Sequence, residues 1–148
     1  MTSFVIDASV AIKWVVPESG TAEALALRRY RLCAPELLVA ECANAFWKKV
    51  RRGELNAAEA LVAVRLLEQA EIELVSMRGL MEPAAKLAIA LNHPAYDCIY
   101  LALADAIDTT FMTADEVLAR RVKAKGLKTK VSHLTAALEP GGFDDGQL

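Results

Sequence analysis

The sequence predicts an α/β fold in which a short parallel sheet is covered by helices on both faces. Two observations predict it. Short strand-like runs alternate with stretches of helical periodicity along the whole chain, and that alternation is the pattern of parallel sheets with crossover helices. With 148 residues, the chain is long enough for one sizeable core and too short for a second independent domain.

The elements follow in order. Phe4-Val5-Ile6 is a β-branched and aromatic run that stops at Asp7, and the apolar stretch Ala8 to Val16 after it reads as a first helix ending at Pro17. Ser19 offers an N-cap for a second helix over about 21–31, followed by a brief extended piece, Leu32-Cys33-Ala34-Pro35. Pro35 is expected to open a third helix over about 36–52, stopped by Gly53 after Lys48, Lys49, Arg51 and Arg52. Asn56 is expected to cap a helix running to about Gln69.

Ile72-Glu73-Leu74-Val75 alternates like a strand, Met81 to Leu91 reads as helix, and Asn92-His93-Pro94 as a turn. The next helix, about 96–107, is apolar nearly all round and should pack between other elements. Thr109 to Met112 reads as a strand, and Asp115 stands at the turn into a helix that stops at Gly126. Lys130-Val131-Ser132 is expected as an edge strand. The domain is expected to span 1–138, with 139–148 a flexible tail carrying Pro140-Gly141-Gly142.

Composition excludes several classes. The hydrophobic share is 55%, yet charged residues such as Asp7, Lys13, Asp97 and Asp105 interrupt every long apolar run. No segment reaches the roughly 18 uncharged apolar residues of a spanning helix. An N-terminus without a basic region, with Asp7 where a signal peptide needs apolar residues, predicts a cytoplasmic protein. Cys33, Cys42 and Cys98 lack paired CxxC spacing and read as reduced, buried thiols. A net charge of -2 argues against binding nucleic acid through bulk charge, so any such role falls to local clusters. One is Lys48, Lys49, Arg51 and Arg52; the other is Arg120, Arg121, Lys123, Lys125, Lys128 and Lys130. Solvated helix ends explain either cluster as well as phosphate binding does.

Four acids, Asp7, Glu41, Asp97 and Asp115, sit beside apolar segments, where an unpaired carboxylate is costly unless a cation, a proton or a hydrogen-bond donor balances it. Asp7 and Asp115 directly follow predicted strands, and ligands of open parallel sheets bind outside the carboxyl ends of the strands, where strand order reverses. Asp97 falls in the first turn of its helix, where a capping role competes evenly with a ligand role. Glu41 lies mid-helix with Asn44 and Ala45 on its own face. An all-oxygen set favours Mg²⁺ or Mn²⁺ over Zn²⁺, and neither His93 nor His133 stands near an acid in zinc-type spacing. Such ions activate water and neutralise charge on a phosphate, chemistry that suits phosphodiester hydrolysis. Asp105 and Asp108 read as surface residues, Asp105 lying about 12 Å along the helix from Asp97. Trp14, Phe46, Trp47, Tyr96 and Tyr100 could stack on bases, with core or interface packing the commoner use of such residues.

Four segments carry a resemblance: Val5-Ile6-Asp7-Ala8-Ser9, the stretch from Pro35 through Glu41 to Ala45, Tyr96-Asp97-Cys98-Ile99-Tyr100-Leu101-Ala102-Leu103-Ala104, and Phe111-Met112-Thr113-Ala114-Asp115. In this order, each with its acid, they resemble the PIN-domain nucleases, specifically the VapC-type toxins of bacterial toxin-antitoxin pairs, over residues 3 to about 135. The resemblance implies a three-layer α/β/α sandwich. It implies that Asp7, Glu41, Asp97 and Asp115 are the metal-binding catalytic acids, and that Ser9, Asn44 and Thr113 are supporting polar residues. Local turn or cap roles compete equally for Ser9 and Thr113. It further implies Mg²⁺- or Mn²⁺-dependent cleavage of RNA, inhibition by a cognate antitoxin placing a basic side chain at the acids, and a homodimer. Two other readings stand beside it: a PIN-like scaffold that binds RNA or protein without cutting, and a phosphoacceptor or phosphatase role for Asp7. The second is weakened by Ser9 standing where a haloacid-dehalogenase-type site needs another acid.

Overall fold

The computed structural model describes residues 2–138. Five strands, β1 (Ser3–Ile6), β2 (Arg31–Pro35), β3 (Glu73–Val75), β4 (Thr110–Thr113) and β5 (Val131–His133), form one sheet in the order β3-β2-β1-β4-β5. Every pairing is parallel. Among the described residues seven α-helices surround it: α1 (Ala8–Ala11), α2 (Thr21–Ala26), α3 (Leu37–Arg51), α4 (Ala57–Glu68), α5 (Met81–Leu91), α6 (Ala95–Ala106) and α7 (Glu116–Ala124). The layered α/β architecture is the expected one. The expected tail, 139–148, lies outside the described residues.

Strand order reverses between β1 and β4. From β1 the chain moves outward through β2 to β3, then returns to β4 and moves the other way to β5. Phe4, Val5 and Ile6 of β1 pair with Thr110, Phe111 and Met112 of β4, so Asp7, just past β1, and Thr113, the last residue of β4, lie side by side. The core lies beneath them. Val5, Ile6, Phe111 and Met112 are fully buried, and Cys98, Tyr100 and Leu101 of α6 are buried with them. Because α6 packs across β1, β2 and β4, its nearly all-round apolar character is explained: it has few faces left for water.

Local signals set most boundaries. Asn56 caps α4 in a reciprocal capping box with Glu59, its side chain accepting from the Glu59 N–H at 2.8 Å. Asn92 ends α5 in the left-handed region at φ 49°, the conformation Asn tolerates better than most side chains. Several boundaries differ from expectation. Ser19 does not cap α2; that position belongs to Gly20, whose φ of 90° a side chain would strain and whose face lies against Lys13. The helix also stops early, passing through a short 3-10 turn at Leu27–Arg29, because Arg31 is claimed by the sheet as the partner of Ser3. Pro35 likewise closes β2 rather than opening α3. It has no N–H to give the ladder, and the next residue donates instead, Glu36 N to Val75 O at 2.9 Å.

Among the described residues no helix is long and apolar enough to cross a membrane. The three cysteines are free and buried. Burial pushes the thiols of Cys33 and Cys98 up to about 11 and that of Cys42 up to about 12, so they remain protonated and unreactive.

Candidate active site

Asp7 is the first residue past β1 and the N-cap of α1, and it is only 7% exposed. Its carboxylate is held on both oxygens. Ser9 Oγ donates to Oδ1 at 2.5 Å and the Val10 N–H to the same oxygen at 3.3 Å, while Thr113 Oγ1 donates to Oδ2 at 2.7 Å. Each hydroxyl also accepts a backbone N–H, Ser9 from across the switch point and Thr113 from its own turn. Ser9 Oγ accepts from the Ala114 N–H and Thr113 Oγ1 from the Asp115 N–H, each at 3.0 Å. Ser9 and Thr113 therefore act between the ends of β1 and β4, not merely within a local turn.

Burial is the largest influence on Asp7 and pushes its pKa from 3.8 up to about 6. The bonds from Ser9, Thr113 and Val10 work against that rise, and the neighbouring charge of Asp97 adds to it. Glu41, one turn into α3, is raised chiefly by burial and further by the charges of Asp7 and Asp97. One Glu41 oxygen accepts from the hydroxyl of Tyr100 at 2.9 Å. Tyr100 is fully buried, edge-on to Phe111, and both burial and the Glu41 charge hold its phenol protonated. The structure thus brings Asp7, Glu41 and Asp97 from β1, α3 and α6 into mutual repulsion.

Asp97 lies in the first turn of α6. The cap position is Pro94, without a side-chain cap bond, and the Asp97 carboxylate is instead bonded to His93, Nε2 to Oδ2 at 2.6 Å. The absence of zinc-type spacing says nothing of hydrogen bonding, and the structure pairs His93 with an acid. The signal was present as an i,i+4 spacing, hidden because Pro94 interrupts the helix between them. Asp115 reaches Thr113 only through its backbone N–H, and its carboxylate caps α7, Oδ1 accepting from the Leu118 N–H at 3.0 Å. Asn44 is exposed on α3, and the structure gives its side chain no hydrogen bond to the acids.

Among the described residues no three His, Cys, Asp or Glu side chains converge closely enough to close a coordination shell unaided. Mg²⁺ does not need such a cage, since it keeps several waters and is commonly held by one or two carboxylates. A buried acid, close to two others and lacking a cationic partner, has the chemistry of that donor set.

The aromatics divide by burial. Phe46 and Tyr100 belong to the core, and Trp14 is partly buried with its Nε1–H donating to Ala24 O at 2.7 Å. Trp47 and Tyr96 are exposed. The first basic cluster is partly committed, Lys49 binding Glu18 at 2.9 Å and Arg51 lying over the Trp47 ring.

A parallel sheet with acids gathered at the point where its order reverses has the layout of a ligand site of the open α/β folds, and comparison makes the family specific. The family model described as PIN domain matches residues 4–124, and the chain belongs to that family. It is similar to Ribonuclease VapC3 of Pyrobaculum aerophilum, with 32% identity over 124 residues, covering 81% of this chain and 95% of that protein. It is also similar to Ribonuclease VapC9 of Mycobacterium tuberculosis, with 30% identity over 111 residues, covering 75% of this chain and 84% of that one. These relatives fall in the VapC group that the sequence motifs resemble. Among solved structures, a crystal structure from Pyrobaculum aerophilum shares the fold at a TM-score of 0.67 and 19% identity, covering 90% of this chain and 85% of that chain. VapBC2 from Rickettsia felis, bound to a DNA fragment from their promoter, does so at a TM-score of 0.62 and 11% identity, covering 89% and 98%.

Proposed function

We propose that this protein is a Mg²⁺- or Mn²⁺-dependent endoribonuclease toxin, acting in the cytoplasm and held inactive by a cognate antitoxin. The observation that carries the reading is Asp7, buried and raised to about 6 among Glu41 and Asp97 with no cation beside it. Asp7 and Asp97 are the ligands assigned first, with Glu41 and Asp115 binding metal or orienting water. When bound, the ion supplies Lewis acidity toward the phosphate and an acidified water. The chain's own residues do the rest. Ser9 and Thr113 fix both Asp7 oxygens, Tyr100 fixes Glu41, and the basic side chains in the last turn of α7 offer contacts to an anionic strand. Buried free thiols suit a reducing compartment.

The relatives' names, and the VapBC complexes among the solved structures that share the fold, support an antitoxin partner. An apolar groove of about 260 Å³ between α3 and α4, lined by Leu38, Cys42, Phe46, Val64, Leu67 and Ile72, begins one residue from Glu41 and suits an apolar segment of such a partner. A basic side chain from it would satisfy the carboxylates as a metal does. A homodimer is part of the same proposal, and the exposed Met81 and Ile89 on α5 give it apolar surface.

The test is incubation of the purified protein with tRNA, rRNA and short RNAs in Mg²⁺, Mn²⁺ or EDTA. Cleavage with metal and none in EDTA is the expected result. A folded protein that cuts nothing under any metal is instead a non-catalytic RNA- or protein-binding scaffold.

A further inference from the structure

His93 lies in the turn between α5 and α6, and its side chain is 10% exposed although the residues on either side, Asn92 and Pro94, are exposed. Both ring nitrogens are engaged. Nε2 meets Asp97 Oδ2 at 2.6 Å, and Nδ1 meets Arg121 Nη1 of α7 at 3.0 Å. A guanidinium only donates, so Nδ1 must accept, and the ring proton is left on Nε2 to be donated to the carboxylate. The direction of the chain is therefore fixed: Arg121 to His93 to Asp97.

That chain solves a mechanical problem. The Asp97 side chain is 35% exposed and, unlike Asp7, receives no hydroxyl from a neighbouring strand end. A short charge-assisted bond from a buried ring, itself braced from another helix, removes the torsional freedom such a carboxylate would otherwise keep. The bond occupies Oδ2 and leaves Oδ1 available to the site shared with Asp7, whose pKa responds to the Asp97 charge.

We propose that His93, braced by Arg121, is a positioning residue that presents the Asp97 carboxylate to the divalent cation. The proposal rests on the metal-dependent reading above. It differs from a purely structural role, in which the chain would only tether the α5–α6 turn to α7.

The two roles separate in the affinity for Mn²⁺, measured by electron paramagnetic resonance on the full chain without RNA. H93A is expected to weaken binding by about 10- to 100-fold, the usual cost of losing a partner that orients a metal ligand. H93Q, whose amide can place a donor near the Nε2 position, is expected to recover most of it. R121A is expected to weaken binding by a smaller factor, an effect that lost RNA contact cannot produce when no RNA is present. Melting temperatures in EDTA report whether each variant is folded. Should H93A fail to fold, R121A carries the test, and binding equal to that of the unaltered protein overturns the proposal. Mn²⁺ binding unchanged in a folded H93A but lost in D97N overturns the positioning role while leaving the metal reading intact. Absence of Mn²⁺ binding by the unaltered protein overturns both.

Discussion

Two acids close in sequence meet opposite fates in this fold. Glu18, in the segment between α1 and α2, accepts from Lys13 Nζ at 3.1 Å and from Lys49 Nζ at 2.9 Å. Burial works against its charge, but the two lysines outweigh it and hold the carboxyl below its usual range. Asp7 is buried more deeply, receives only hydroxyls and one backbone N–H, and faces Asp97 and Glu41 in place of lysines. The fold supplies Glu18 with two cationic partners and gives Asp7 none. The difference teaches how to recognise a site before any ligand is bound: a charge-balanced acid is part of the scaffold, and an unbalanced one is chemistry held in reserve.

Asp7→Asn should break the contrast most completely. It keeps the shape and removes the charge, and RNA cleavage with Mg²⁺ or Mn²⁺ should fall on the order of a thousandfold, equivalent to about 4 kcal/mol of barrier. Retention of metal-dependent cleavage by this variant would refute the assignment of Asp7.

The second effect is on stability without metal. The folded pKa of Asp7, about 6, lies above its ordinary value of 3.8, so the folded state binds more proton between those values. The stability this contributes is full below about pH 4 and is lost as pH rises through 6, a change of about 3 kcal/mol. Glu18 has the opposite sign, its lowered pKa giving stability that is present above the unfolded value and lost as pH falls through the folded one. Urea unfolding in EDTA across pH 4 to 8 should show the Asp7 loss, and Asp7→Asn should flatten it. Added Mg²⁺ should restore stability near neutral pH in the unaltered protein only, as a ligand of the folded state does.

Asp115 sharpens the comparison because it caps α7 in the fold while its charge is proposed to take a second role at the site. Asp115→Ala should cost about 1 kcal/mol through loss of the α7 cap, while Asp115→Asn, which can still cap, should unfold like the unaltered protein. Loss of cleavage in the Asn variant assigns a role to the charge. Full activity there reduces Asp115 to a helix cap.

Glu18→Gln should have the smallest effect. A partly exposed ion pair contributes at most about 1 kcal/mol, so a small drop in melting temperature that shrinks with added salt is expected, with cleavage unchanged.

Much of the site was legible in the sequence for a local reason. Asp7 and Asp115 announce themselves as candidates by following apolar strand runs, Glu41 and Asp97 by standing among apolar helix neighbours, and, away from the candidate site, Asn56 as the cap of the helix it precedes. The partners were less legible. Tyr100 reads as one more apolar position of a buried helix, yet its hydroxyl reaches Glu41, 59 residues away. Lys49 reads as one of four basic residues at a helix end, yet it is bonded to Glu18 from 31 residues away. Ser19 lost its expected place to Gly20 because the backbone at the cap takes a φ of 90°, which glycine adopts without strain.

The sequence by itself determined which segments are strands and helices, and which carboxylates would be costly to bury, because periodicity, capping and solvation act through neighbouring residues. Only the tertiary structure decided which of those carboxylates would meet a cation. That choice depends on distances between residues far apart in the chain, set when β1 and β4 pair at the switch point and α6 closes over them. There Asp7 receives Ser9 and Thr113, Asp97 receives His93, and the lysines are spent on Glu18.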